Sequence, residues 1–162
     1  MKKHNRGFTL IFSVLISSIL VALGSAIFDL VSKEIILSSA GRESQFAFYA
    51  ADTGIECALY WDYKQNAFST TSALTQVLCD ADNSPAPMGG HLTRVLDNSN
   101  PAHPILTTTF SFVLNGVNVN PSTDVQVVRT YYPTQTTINS YGHNTGVLTD
   151  PSRLERAIRV TY

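Results

Sequence analysis

The chain has 162 residues, 44% of them hydrophobic and 14% charged, and a formal net charge of −1. These values fit one domain with a moderate core; they exclude a disordered chain, a multidomain enzyme, a disulfide-dense scaffold and a strongly basic nucleic-acid binder. The low charge has an address, because no ionisable side chain lies between Arg6 and Asp29.

That interval reads GFTLIFSVLISSILVALGSAIF, from Gly7 to Phe28. As a helix it extends about 33 Å, enough to cross a bilayer's hydrocarbon layer with some tilt. Lys2, Lys3 and Arg6 precede it, while Asp29, Lys33 and Glu34 follow. The basic N-terminal flank predicts that this end stays in the cytoplasm and the remaining chain lies outside. A buried helix of a soluble domain would need protein on every side, and the rest of the chain is too short to supply it.

Two processing routes fit this segment. An ordinary secretory signal would be cut before Ile27, where Gly24 and Ala26 supply small residues, although its apolar region would exceed the usual length of about 7–15 residues. The other route rests on the junction itself, a basic leader MKKHNRG followed by FTLIF. This junction resembles the class III signal of the type IV pilin and pseudopilin superfamily, which prepilin peptidase cuts after the glycine. The resemblance places the cut between Gly7 and Phe8 and makes Phe8 the N-methylated first residue. It also implies a pilin-like α+β fold, with a long N-terminal helix packed on a C-terminal antiparallel sheet. One position departs from the family pattern: the fifth mature residue is Phe12, where most members carry a glutamate that meets the N-terminal amine of a neighbouring subunit. Lack of that glutamate is a feature of PilX-type minor pilins and of tip pseudopilins in type II secretion, so the resemblance points to a minor subunit.

The helical pattern continues past the membrane-length run. No proline occurs from Asp29 to Lys64, and Phe48, Ala51, Ile55, Ala58 and Leu59 recur at spacings of three and four. Glu43, Asp52, Glu56 and Asp62 supply polarity elsewhere, so this half is expected to lie against a sheet. Unbroken, Phe8 to Lys64 would span about 85 Å. Gly24, Gly41 and Gly54 are expected points of bending or local melting. Ser18, Ala22 and Ala26 fall four apart, a small-residue stripe of the kind that lets helices approach closely in lipid or a filament core. The aromatic group Phe46, Phe48, Tyr49, Tyr60, Trp61 and Tyr63 reads as packing under the sheet.

Cys57 and Cys79 are the only cysteines. Export would carry them into an oxidising compartment, where a bridge closing about 23 residues would contribute about 3 kcal/mol. A metal site needs more ligands than these two, and redox chemistry would favour a CxxC spacing.

From Asp80 to Pro104 the chain is dense in Pro, Gly, Asn and Asp and reads as a surface loop. Asp80, Asp82 and Asn83 could begin a calcium loop, but Pro85 and His91 occupy the positions of the EF-hand glycine and terminal acid, so solvated loop carboxylates are the better reading. His91, His103 and His143 show no ligand spacing. After Pro104 the period becomes two: Leu106, Phe110, Phe112 and Leu114 face one way, with Thr107, Thr109 and Ser111 opposite. Asn115-Gly116 signals a hairpin into a short strand from Val117 to Val119. Further strands are expected from Asp124 to Tyr132, over TQTTINSY after Pro133, and over RLERAIRVTY. In the last, Leu154, Ile158, Val160 and Tyr162 share a face that Arg156 interrupts at a rim. The pairing of TTINSYG with a final ERAIRVTY strand is similar to some bacterial minor-pilin-like proteins.

The expected organisation is therefore a leader over 1–7, a membrane or filament-core helix over 8–28 and an amphipathic half over 29–64. A loop over 65–104 and an antiparallel sheet over 105–162 complete it. The function implied is a structural subunit of a type IV pilus or a type II secretion-like filament, with no enzymatic activity, cofactor or metal. Its implied partners are other pilin subunits, prepilin peptidase, the assembly platform and, before assembly, the bacterial inner membrane; afterwards it would stand on the cell surface. Removing Lys2, Lys3 and Arg6 leaves eight basic side chains against twelve acidic ones, a net charge of −4 that disfavours nucleic acid. The alternatives are a secreted or membrane-anchored binding module, adhesin-like or contacting DNA, with an ordinary signal peptide or a signal anchor, and a secreted enzyme that starts at Ile27.

Overall fold

The structure is a computed structural model that describes residues 6–79, 91–114 and 120–162, with the backbone alone at Arg6 and Gly7. It separates into two compact units, Met1–Gly41 and Arg42–Tyr162. One helix, α1 (Arg6–Gln65), runs without interruption through Gly24, Gly41 and Gly54. None of the three glycines interrupts the helix, because a glycine permits a break without requiring one.

The second unit contains the C-terminal part of α1 and one five-stranded sheet. Its strands are β1 (Thr93–Asp97), β2 (Ile105–Val113), β3 (Ser122–Tyr131), β4 (Thr134–His143) and β5 (Glu155–Thr161). They lie in chain order and every neighbouring pair is antiparallel, so the sheet is a simple meander. The fold is α+β, a long N-terminal helix and an antiparallel sheet. Alternation sorts the sheet's side chains: Leu106, Thr108, Phe110, Phe112, Thr123, Val125, Val127, Ile138 and Ser140 are buried on one face.

The helix offers that face its smallest residues. Ala47, Ala50, Ala51 and Ala58 are fully buried, and Ile55 is nearly so. A Cβ on Gly54 would strike the Ser140 hydroxyl and come within 2.7 Å of Thr123 Oγ1. One on Gly142 of β4 would strike the backbone of Ala47 and Ala51, with the Ala51 Cα at 2.8 Å. Helix and sheet are thus in backbone-level contact at Gly142, and at Gly54 the helix backbone lies directly against side chains of the sheet. Toward the C-terminal end of α1 the gap is filled by larger groups: Phe68 stacks on Phe110 at 5.8 Å and Phe110 on Phe112 at 6.4 Å.

The end of α1 is set by Asn66, whose φ of 47° is the left-handed conformation of a helix C-terminal cap. Its N–H donates to the Asp62 carbonyl at 3.0 Å, giving an orphan helix carbonyl a partner. The connection that follows is tied back to the helix twice. Cys57 and Cys79 form a disulfide with Cα atoms 5.5 Å apart, and Trp61 Nε1 donates to the Leu78 carbonyl at 3.1 Å.

Three expectations need correction. Of the aromatic group, only Trp61 packs on the core; Phe46, Phe48, Tyr49, Tyr60 and Tyr63 are exposed. The face that meets the sheet is the Ala/Gly stripe, and the helical period turns those five rings away from it. The apolar stripe accordingly keeps Ala51, Ile55 and Ala58 but loses Phe48. Within the stretch read as a surface loop, Thr93–Asp97 forms the edge strand β1, paired from Thr93↔Thr109 to Asp97↔Ile105. Val95 and Leu96 of that strand remain exposed, as an edge strand permits. The expected Asn115-Gly116 turn, the Val117–Val119 strand and the calcium-loop residues Asp80, Asp82, Asn83 and Pro85 lie outside the described residues.

Candidate functional site

The first unit presents a helix whose large apolar side chains are exposed among the described residues. From Phe8 to Leu37 the large apolar side chains are between 41% and 74% exposed. An 18-residue window of the helix has mean hydropathy 2.5, and none of it is buried. By length and composition this helix can cross a membrane. Burying each of these side chains in lipid or against another helix is worth about 1.5–3 kcal/mol, so the surface is a strong driver of insertion or association.

Four serines of the segment are already partnered. Ser13, Ser18 and Ser25 donate to the carbonyls of Leu10, Leu15 and Ala22 at 2.8–2.9 Å, and Ser32 donates to Phe28 at 2.9 Å. A hydroxyl spent inside the helix costs little in hydrocarbon, whereas an unpaired one is costly. The small residues of the expected stripe come together in part: Ser18 and Ala22 border a shallow depression with Ser13, Val14, Ser17 and Val21. Ala26 is not among its borders. Phe8 stacks on Phe12 with ring centroids 6.4 Å apart, so the aromatic at the expected glutamate position packs against the expected first mature residue. At Gly7 the backbone is already helical.

In the second unit a partly buried polar cluster joins elements that show no common signal in the sequence. The Asp62 carboxylate, near the end of α1, accepts from Arg129 Nη2 of β3 at 2.6 Å on both oxygens and from the Tyr162 hydroxyl at 2.6 Å. Arg129 also donates to Asn66 Oδ1 and Thr136 Oγ1 at 3.1 and 3.3 Å. Partial burial, the hydrogen bond to Asp62 and the charge of that carboxylate push the Tyr162 phenol above its ordinary value, against the opposing charge of Arg129. Asp62 carries only the helical period of a polar face in the sequence, and nothing there marks it as a buried anchor. Arg156, read as a rim residue, donates from Nε to Ser44 Oγ of the helix at 2.8 Å.

The histidines have separate roles. His91 Nδ1 donates to the Thr75 carbonyl at 2.9 Å, and His103 Nδ1 to the Tyr132 carbonyl at 2.7 Å. His143 is almost wholly buried, donates from Nε2 to Glu155 at 2.9 Å and holds Nδ1 3.8 Å from Asp124. The two carboxylates thus stand at opposite nitrogens of one ring. Among the described residues, no three His, Cys, Asp or Glu side chains converge as a set of metal ligands.

Comparison with known protein families, curated proteins and solved structures finds no match.

Proposed function

We propose that the chain is a structural subunit of the type IV pilin and pseudopilin kind, a minor pilin or pseudopilin. The observation that carries this reading is an uncharged, wholly exposed helical segment at the N-terminus of an α+β protein, joined to a basic leader at Gly7-Phe8. A segment of this kind must be covered by lipid or by other helices, and a filament subunit uses both environments in turn. Prepilin peptidase would cut after Gly7, Phe8 would be methylated, and the assembly platform would draw the helix from the inner membrane into a bundle with other pilin subunits. The second unit would then lie outside the cytoplasm, where its disulfide is stable. Such a subunit performs no chemistry of its own and needs no cofactor. Phe12 in place of the family's glutamate favours a minor position over the fibre-building one.

Intact mass and N-terminal sequencing of the protein from membranes or sheared surface fibres test this. A methylated start at Phe8 is expected. A mature start at Ile27 would instead establish an ordinary secretory signal, and an uncut Met1 a signal anchor; either result overturns the proposal.

A further inference from the structure

The sheet face turned away from α1 carries a groove of about 400 Å³, bordered by residues of β1, β2, β3 and β4. Its side chains belong to two lateral rows that the strand register brings together. Thr93, Thr109, Gln126, Asn139 and Arg159 form one row, contributed by each strand in turn; Ser111, Asp124 and Tyr141 form the next.

Two of the groove's polar side chains, Gln126 and His91, are held by hydrogen bonds to neighbours. Arg159 Nε donates to Asn139 Oδ1 at 2.7 Å, and Asn139 Nδ2 donates to Gln126 Oε1 at 3.3 Å. This relay occupies the carbonyl of Gln126 and leaves its NH₂ group for the groove. His91, which spends Nδ1–H on Thr75, offers Nε2 as an acceptor. Asp124 stands beside the buried Nδ1 of His143, which has no hydrogen-bond partner among the described residues. Side chains fixed by a second layer of hydrogen bonds make a preorganised site.

The inventory selects a ligand class. Among the described residues no Lys or Arg borders the groove, which disfavours phosphates, nucleic acid and other polyanions. The two apolar residues on its border, Phe110 and Val125, are buried on the opposite face of the sheet, so a lipid or an apolar peptide would find little to cover. What remains is a carboxylate that accepts, an amide that donates, three neutral hydroxyls at Thr93, Thr109 and Ser111, and the half-buried ring of Tyr141. Paired donors and acceptors around an aromatic ring suit a molecule dense in hydroxyls with an apolar face. We propose that this groove binds a neutral saccharide, with Asp124 accepting from its hydroxyls, Gln126 donating to its oxygens and the Tyr141 ring stacking on its C–H face. This site is independent of the N-terminal processing proposed above.

The test uses the full-length chain in a zwitterionic, sugar-free detergent, with glucose, galactose, N-acetylglucosamine, lactose and maltose as neutral probes and glucuronate as an anionic control. Saturation-transfer NMR is expected to detect at least one neutral probe with a Kd of about 1 mM or tighter. Binding should shift the Tyr141 ring resonances of the wild-type chain. Tyr141→Ala should weaken it about tenfold, and Tyr141→Phe should retain most of it. Absence of transfer to every neutral probe, binding of glucuronate alone, unchanged affinity in Tyr141→Ala, or unmoved Tyr141 resonances would each overturn the proposal. The resonance shift is read in the wild-type chain, so it decides the matter even if a variant fails to fold.

Discussion

Gly142 and Gly54 show how single residues set the distance between helix and sheet. The nearest atoms to a Cβ at Gly142 belong to the α1 backbone, which has no flexible end to swing aside. Gly142→Ala should therefore destabilise the second unit by about 1–3 kcal/mol, read from the midpoint of urea unfolding. Gly41→Ala, where a Cβ meets nothing, should raise stability slightly through helix propensity. Asp62 works by the same local logic in polar form. Asp62→Ala leaves Arg129 buried without its carboxylate and should cost about 3–5 kcal/mol. Tyr162 adds a pH dependence. Its phenol loses a proton less readily in the folded chain than in the unfolded one, so its contribution is complete below the ordinary value of about 10 and falls as pH rises above it. Tyr162→Phe should reduce the loss of stability between about pH 10 and 12, measured by thermal unfolding at each pH.

At the level of elements, α1 has a face for each surrounding. Its Ala/Gly stripe meets the sheet, while Phe46, Tyr49, Tyr60 and Tyr63 point to solvent. The sequence shows both sets at helical spacing, and the larger rings are the more conspicuous signal. Size misleads here, because close packing against the sheet selects the absence of a side chain. Strand β1 was hidden for a related reason. Pairing along one edge makes TRVLD a strand, and its turn-rich surroundings mask a strand of five residues with no buried alternation. The disulfide, by contrast, was legible once export was inferred. Reduction, or the paired substitution Cys57→Ser with Cys79→Ser, should lower stability by about 3 kcal/mol by freeing the loop of separation 22. Unreduced mature protein should show no thiol that reacts with an alkylating reagent under denaturing conditions.

On the scale of the whole molecule, the two compact units differ in surface, the first exposing a run of large apolar side chains and the second enclosing a core. The unit Arg42–Tyr162 contains the sheet, the disulfide, the Asp62 cluster and the buried core. A chain lacking residues 1–41 should therefore be soluble and unfold cooperatively, as seen by circular dichroism and size exclusion. The full chain should partition into membranes. A lysine in place of Leu15 should weaken that partition by about 3–4 kcal/mol, read as the inserted fraction in a translocation assay.

The sequence by itself determined the membrane-length segment, the α+β class and the candidate cysteine pair. These follow from local composition, hydrophobic period and residue count, which a linear reading contains. It also marks the Gly7-Phe8 junction, where a basic leader meets the apolar run. The tertiary structure alone decided which face of α1 is covered, that Asp62, Arg129 and Tyr162 meet, and that two lateral rows of polar side chains line one groove. Each of those depends on strand register and on the close approach of two backbones. Register joins residues far apart in the chain, and no spacing along the sequence records it.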